Sequence, residues 1–446
     1  MMHPKLNRKL NSNKDNIVRI YLVYFVIVTL YLLLLIGNYP YLNFHLVVFS
    51  LSFYYIGYVA INELVNVGLI SIKFIFNVFG FLYTNYHIIE LVVDKTIINE
   101  YYYYGMELSY LAMFSFNTAY SLTKCSTLEH HIRRKLDVGK FNYGLLVILI
   151  LSVAAFYYVV VQGIGILNYF LVSRAERSLM RADYSFLTFY SITLPMISTL
   201  SLFIYMQYRK KLNLLLFFMA FLLTILNSVL TASRADMFSA VLPVIVILNY
   251  NKILSNKITI IIGAAGFVLF GVWKSLYNSE IETQYGEFST WYEICKNVLS
   301  HPQSYSLAYY PGKSYLDTLL NLVVPVTGIE PLSRWYLRTF EPLVYQAGGG
   351  RGFSSVLEAF LNFNVFGVIS IYVLYGIIAK KIFPKSEMTM IINLLAIVSI
   401  NMLFRSESYA FWKNMLWLRI YPILLLYYFA SRKIVFKSRS NTYECS

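Results

Sequence analysis

Charged side chains are scarce in this chain: 13% of its 446 residues, against 58% that are hydrophobic. A soluble protein of this size carries about twice that charged share, so a water-soluble globular enzyme is excluded. Cysteine is limited to Cys125, Cys295 and Cys445, scattered and odd in number, which leaves neither a disulfide framework nor a metal cluster. No Asp-x-Asp occurs, removing the usual metal–nucleotide clasp of sugar-nucleotide transferases. No Gly-x-Ser-x-Gly elbow occurs either, and His130 and His131 lie in a basic loop without partners at metal-ligand spacing. Pro311-Gly312-Lys313-Ser314 has the ending of a phosphate-binding loop. Leu307 stands in place of its first glycine and no strand is expected before it, so that reading is rejected. No metal and no cofactor is expected; a metal-free site using arginines is what these absences leave.

Long apolar windows are abundant. They recur from end to end at roughly 16–27 residues, the length a bilayer core requires, and they are continuous rather than alternating, which rules out a barrel. The reading is an all-α polytopic integral membrane protein, 1–446 forming a single transmembrane domain of about 12 helices (11–13). The spans fall near 20–37, 42–61, 69–90, 101–121, 142–162, 184–207, 212–232, 235–250, 258–275, 353–379, 388–404 and 412–430. Residues 1–19 are a polar, basic lead into a window long enough to span, so a cleavable signal is not expected.

The basic residues orient the bundle. Lys5 to Arg19, Lys73, Lys124 to Lys140, Arg209-Lys210-Lys211, Lys252, Lys257, Lys380 to Lys385 and Arg432 to Arg439 fall in alternate turns, which the positive-inside rule makes cytoplasmic, with both termini. The net charge of +15 is therefore mainly an orientation signal and calls for no nucleic acid. These 23 inner residues are 16 Lys and 7 Arg, whereas the 14 others are 5 Lys and 9 Arg. Topology has no reason to prefer arginine outside. Arginine's planar fork binds phosphate oxygens in pairs and sheds water more easily, so the outer set of Arg174, Arg177, Arg181, Arg234, Arg334, Arg338, Arg351, Arg405 and Arg419 suggests an anionic ligand on the extracytoplasmic side.

One long excursion, 276–352, leaves the membrane between spans nine and ten. It is nearly charge-balanced, and 288–294 and 315–325 read as short amphipathic helices roofing a cavity. Its exit runs Gly348-Gly349-Gly350-Arg351-Gly352-Phe353-Ser354-Ser355 into the next span. On a continuous helix Arg351, Ser355, Glu358 and Asn362 share one narrow face, a polar stripe that must meet protein, water or a polar ligand. Arg234 either pairs with Asp236 in a tight outer turn or points back into a cavity. Lys274, after Trp273, is an interfacial anchor or a member of the same site. Arg419, deep in the last span, has Glu358 or a ligand phosphate as its expected partner, or else makes a structural ion pair.

Residues 225–425 resemble the O-antigen polymerase family of bacterial surface polysaccharides, often called Wzy. The resemblance is carried by Thr231-Ala232-Ser233-Arg234-Ala235, Trp273-Lys274, Asp317 to Pro325 with Pro331, and Gly348 to Ser355 with Glu358. It continues through Asn362-Phe363 with Gly367, then Arg405 with Glu407, and Arg419. Asn364 departs from the pattern, since a glycine often follows the Asn-Phe pair; little cost is expected from it. The resemblance implies a GT-C-like helical bundle in the bacterial inner membrane with its active site facing the periplasm. It implies a metal-independent glycosyltransferase that moves a growing chain from undecaprenyl diphosphate to the non-reducing end of an incoming lipid-linked repeat unit, for O-antigen or capsule. Partners would be undecaprenyl-diphosphate-linked oligosaccharides, the bilayer and a chain-length regulator protein. In these terms Arg234, Arg351 and Arg405 bind diphosphate, Arg419 and Lys274 assist, and Glu358 is the base or orients an arginine, with Arg234 and Arg351 also catalytic. A flippase or other transporter is the first rival, although its usual paired halves are not visible here. An O-antigen ligase is the second, with His301 the only outer-loop histidine and a poor match to a catalytic one.

Overall fold

The computed structural model describes residues 43–94, 100–123, 134–166, 168, 185–231, 233–259, 261–263, 265, 289–323, 330–346, 352–384, 386–400, 402–404 and 406–433. The expected span 20–37, and most of 258–275 with Lys274, lie outside these residues. The described chain is helical apart from one two-stranded ladder. Its helices are α1 (Asn43–Asn66), α2 (Ile72–Asp94), α3 (Glu100–Leu122), α4 (Val138–Phe156, running on as a π-helical stretch Tyr157–Ile164), α5 (Tyr190–Tyr208), α6 (Lys211–Thr231) and α7 (Arg234–Tyr250). The outer excursion contributes α8 (Ser289–Ser300), α9 (Gln303–Ala308), α10 (Lys313–Val323), α11 (Leu332–Phe340) and α12 (Pro342–Gln346). The chain closes with α13 (Ser355–Lys381), α14 (Glu387–Ile400), α15 (Ser408–Met415) and, after a π turn, α16 (Tyr421–Ala430).

Four of the described helical stretches are long and apolar enough to cross a bilayer: Val138–Ile164, Leu187–Tyr208, Lys211–Thr231 and Ser355–Lys381. Asp236–Tyr250 and Glu387–Ile400 are apolar but shorter. α1, α2 and α3, at 24, 23 and 23 residues, are not among these four, so the count of twelve is carried by the sequence alone. Buried amides and a hydroxyl pair between α2 and α3: Asn77 and Asn117 exchange amide hydrogen bonds of 2.9 and 2.8 Å, and Tyr110 donates to Asn85 at 2.6 Å. Such pairs are the polar contacts that hold helices together where lipid supplies no hydrophobic drive. Outward faces are apolar instead. Tyr143, Val147, Ile150 and Leu151 on α4, and Leu215, Phe218, Leu222 and Leu226 on α6, are each more than two-fifths exposed. Stripes of this extent are not kept in water. This is a helical membrane protein.

The described basic turns gather at one end. Lys73, opening α2, and Lys380, closing α13, lie over the same Tyr120 ring at 5.4 and 4.5 Å. β1 (Arg134–Leu136) pairs antiparallel with β2 (Ser431–Lys433), setting Arg134 opposite Lys433. Tyr208, just before Arg209-Lys210-Lys211, donates to Glu387 at 2.6 Å. The turns that the positive-inside pattern groups together are thus grouped in space, while the outer excursion caps the opposite end.

α13 is the central element, and it is broken. Phe363 (φ −142°, ψ 18°) and Asn364 (φ 55°, ψ −152°) leave helical geometry, so the single helix expected over 353–379 is two helices meeting at a kink. Asn364 occupies a positive-φ region that glycine adopts freely and other residues only at a cost of about 1–3 kcal/mol. The expectation of little cost at this position is therefore corrected. On the inner side of the bend, a Cβ on Gly367 would lie 2.3 Å from the Ala359 carbonyl oxygen, and further along one on Gly376 would lie 2.4 Å from that of Phe116 on α3. Glycine is needed at both, once to fold the helix back on itself and once to seat it on α3. Asn364→Gly should stabilise the detergent-solubilised protein by about 1 kcal/mol, read as a raised melting temperature, whereas Gly367→Ala should lower it.

Candidate active site

Ser354 caps the first half of α13, its hydroxyl accepting from the amides of Val356 at 3.2 Å and Leu357 at 3.5 Å. That start sets Ser355, Glu358 and Asn362 on one face, as their spacing predicts, and all three are buried, Glu358 completely. The stripe faces protein. Ser355 hydrogen-bonds the Tyr372 hydroxyl at 2.7 Å and donates to the Leu403 carbonyl. Arg351, the fourth expected member, lies outside the described residues.

Asn362 joins the stripe to the outer excursion. Its amide nitrogen donates to Ser314 Oγ at 3.0 Å and to the Glu358 carbonyl at 2.8 Å. Its oxygen accepts from the Gly312 amide at 2.7 Å and the Tyr305 hydroxyl at 2.9 Å. Every hydrogen-bonding valence of the side chain is used. Gly312, at φ 86°, turns its amide toward Asn362, and Phe363 packs against Gly312 and against the Tyr315 ring at 5.8 Å. Pro311-Gly312-Lys313-Ser314 is thus a docking turn. Lys313 is paired with Asp317 of its own helix at 2.7 Å.

Glu358 Oε2 accepts from the backbone amide of Ser408 at 2.6 Å, so this carboxylate caps α15 from a different helix. Its Oε1 has no hydrogen-bond partner. Glu407, the residue before, is 2% exposed. Its Oε1 accepts from Ser333 Oγ of α11 at 3.4 Å, and its Oε2 is also without a partner. Burial pushes the Glu407 carboxyl up to about 7, and the neighbouring Glu358 charge pushes the same way. Tyr375, from the second half of α13, shares a 3.1 Å hydrogen bond with the Ser408 hydroxyl. An apolar hollow lined by Phe76, Phe116, Tyr375, Leu403, Phe411 and Trp412 adjoins the site without any charged side chain in its wall.

The expected arginines divide. Arg419 is 2% exposed and donates to Ser399; the charge in its field is Asp236, not Glu358, and its Nε has no hydrogen-bond partner. Asp236 in turn accepts from Asn227 at 2.9 Å and is capped through Ser233, whose hydroxyl accepts from the Asp236 amide. Arg234 opens α7 beside this network, although its side chain, Arg405 and Lys274 lie outside the described residues, as do Arg174, Arg177 and Arg181. Arg338 pairs with Glu330 at 3.0 Å on the surface and Arg334 is exposed. His301 is exposed at the α8–α9 turn, its Nδ1 against Ser300 Oγ at 2.8 Å. The aromatics of the outer excursion form a core: Trp335 meets Tyr305, Tyr309, Phe340 and Phe353 with ring centroids 5.6–6.3 Å apart.

Residues 313–438, which contain α10, the whole of α13, Glu358 and Glu407, match the family model of O-antigen polysaccharide polymerase Wzy. The match covers less than half of the chain and shows a likeness to that family over this stretch. No curated protein and no solved structure matches the chain. The match begins inside the outer excursion at Lys313 and takes in the last expected span, so the resemblance read from the residues holds over the part of the chain that builds the Wzy-like polar stripe. Glu407 was not among the expected site residues. An isolated acid in a short turn gives no periodic signal; its cue is its place beside Arg405 among the residues that carry the family resemblance, where it has no role assigned.

Two outcomes test the site. Asn362→Leu strands the Gly312 amide and Tyr305 hydroxyl, each worth about 1–3 kcal/mol when buried and unpaired, and should make 303–323 sensitive to limited proteolysis. Glu407 binds its proton more tightly folded than unfolded, so its contribution to stability is full below pH 4.5 and lost as pH rises through about 7. Melting temperatures measured from pH 5 to 8 should fall across that window in the wild type, and Glu407→Gln should flatten the slope.

Proposed function

We propose that the chain is an oligosaccharide repeat unit polymerase of the Wzy type. It transfers the growing chain from undecaprenyl diphosphate to the non-reducing end of an incoming lipid-linked repeat unit at the extracytoplasmic face of the bacterial inner membrane. The observation that carries this reading is the fully buried Glu358 with one unpartnered oxygen, held inside the Wzy-matched segment beneath a docked outer excursion. A carboxylate placed so can receive a proton from a sugar hydroxyl that no described protein group supplies.

In the reaction the acceptor hydroxyl oxygen bonds to the anomeric carbon of the donor chain while the bond to the diphosphate oxygen breaks. The diphosphate leaves with the electron pair, and the hydroxyl proton passes to Glu358. Charge builds on the leaving lipid diphosphate, and Arg234, Arg351 and Arg405 are assigned to it, with Arg419 and Lys274 in support. A well-placed donor in such a site contributes about 3 kcal/mol to the transition state. Support for the assignment comes from the backbone: Arg351 precedes the Gly352–Ser355 entry to α13, and Arg405 lies between Leu403, which Ser355 contacts, and Ser408, which Glu358 contacts. The lack of an Asp-x-Asp motif favours metal-independent transfer.

Deletion of the gene should leave single repeat units on surface polysaccharide gels, whereas loss of a flippase would leave none. Arg351→Ala or Arg234→Ala, at normal protein levels, should give the same single-unit pattern. Wild-type chain lengths in both variants would remove the diphosphate assignment.

A further inference from the structure

We propose that Glu407 is a second carboxylate of the active site, sharing one proton with Glu358 so that the pair carries a single negative charge when the acceptor hydroxyl binds. The inference rests on the polymerase reading and deepens it.

Three observations carry it. The two carboxylates are held by one dipeptide, since Glu407 is the residue immediately before the Ser408 amide that binds Glu358 Oε2 at 2.6 Å. Both are buried, 0% and 2% exposed, and each keeps one oxygen without a partner, Glu358 Oε1 and Glu407 Oε2. Glu407 also stands at the N-cap of α15 yet makes no side-chain cap there. An acid at an N-cap ordinarily turns back onto its own helix. Here Glu358 accepts from the first amide of α15 and the Glu407 side chain is left for another use.

The surroundings supply hydroxyls and no described cation. Tyr305 from α9, Ser314 and Tyr315 from α10, Ser333 from α11, and Tyr372 and Tyr375 from α13 are the described groups that interact with one carboxylate or the other, besides Ser408. Arg351 and Arg405 flank the pair in sequence. Two like charges in a dry site cannot both persist without compensation, and the least costly state keeps one proton between them. During transfer the acceptor's proton joins the one already present. The doubly protonated pair then releases one proton to water as the product leaves, restoring the starting state.

A pair that works with one proton gives a bell-shaped pH–rate profile: the acid limb adds the second proton, and the alkaline limb removes the first. The test uses purified full-length protein in proteoliposomes, with lipid-linked single repeat units extracted from the deletion strain, and follows chain extension from pH 5 to 9. The wild type should give a bell. Glu407→Gln mimics the permanently protonated partner, so it should retain at least a tenth of the wild-type kcat and lose the alkaline limb, while Glu358→Gln should fall at least 100-fold. A bell unchanged in Glu407→Gln, or a wild-type profile without an alkaline limb, overturns the shared proton and leaves the polymerase reading standing. A wild-type protein that extends no chains overturns both. If Glu407→Gln elutes as aggregate, Glu407→Asp keeps the acid but withdraws it from Glu358. The two limbs should then move closer together, and an unchanged bell again counts against the pair.

Discussion

One amide side chain organises the end of this molecule that carries helices α8 to α12. Asn362 accepts twice and donates twice, and its four partners come from its own helix, the docking turn before α10, the first residues of α10, and α9. A buried amide with all its valences filled is stable only where every partner is in place, because each lost bond leaves a group that water cannot reach. The outer excursion, which would otherwise be a long loop over the membrane, is therefore held in one register above the site. Its aromatic core around Trp335 gives that register bulk, and Asn362 gives it an address.

The break in α13 follows from the same contact. A helix that continued straight past Asn362 would carry Phe363 away from Gly312 and Tyr315. Bending at Phe363 and Asn364 lets the ring pack under the docking turn, and Gly367 lets the second half pass close to the Ala359 carbonyl. The result is a discontinuous helix with its polar half enclosed by protein and its apolar half among the spans. Non-helical backbone at membrane depth is tolerated only in such enclosed settings.

Much of this was legible in the residues. Offsets of four, seven and eleven put Ser355, Glu358 and Asn362 on one face, and the structure buries that face against polar partners. Alternating basic turns foretold the grouping of Lys73, Lys380, Arg134 and Lys433 at one end. The kink was not legible, because hydropathy runs unbroken through Phe363 and Asn364 and periodicity senses faces rather than bends. The one hint was the place where a glycine often stands, and it was read as harmless. For Arg419 the sequence offers Glu358, a ligand phosphate or a structural ion pair; the acid in its field is Asp236 on α7, far away in the chain, and spacing carries no information about such pairings.

The small ladder at the other end has a bearing on biogenesis. Arg134–Leu136 finds its mate only in Ser431–Lys433, after the final helix has been made. Until then the early strand presents an open edge, flanked by cations, while the intervening helices enter the bilayer. Pairing it last ties the start of α4 to the end of α16. The ladder is thus a seal that can close only on a chain whose last helix has been inserted with the right orientation.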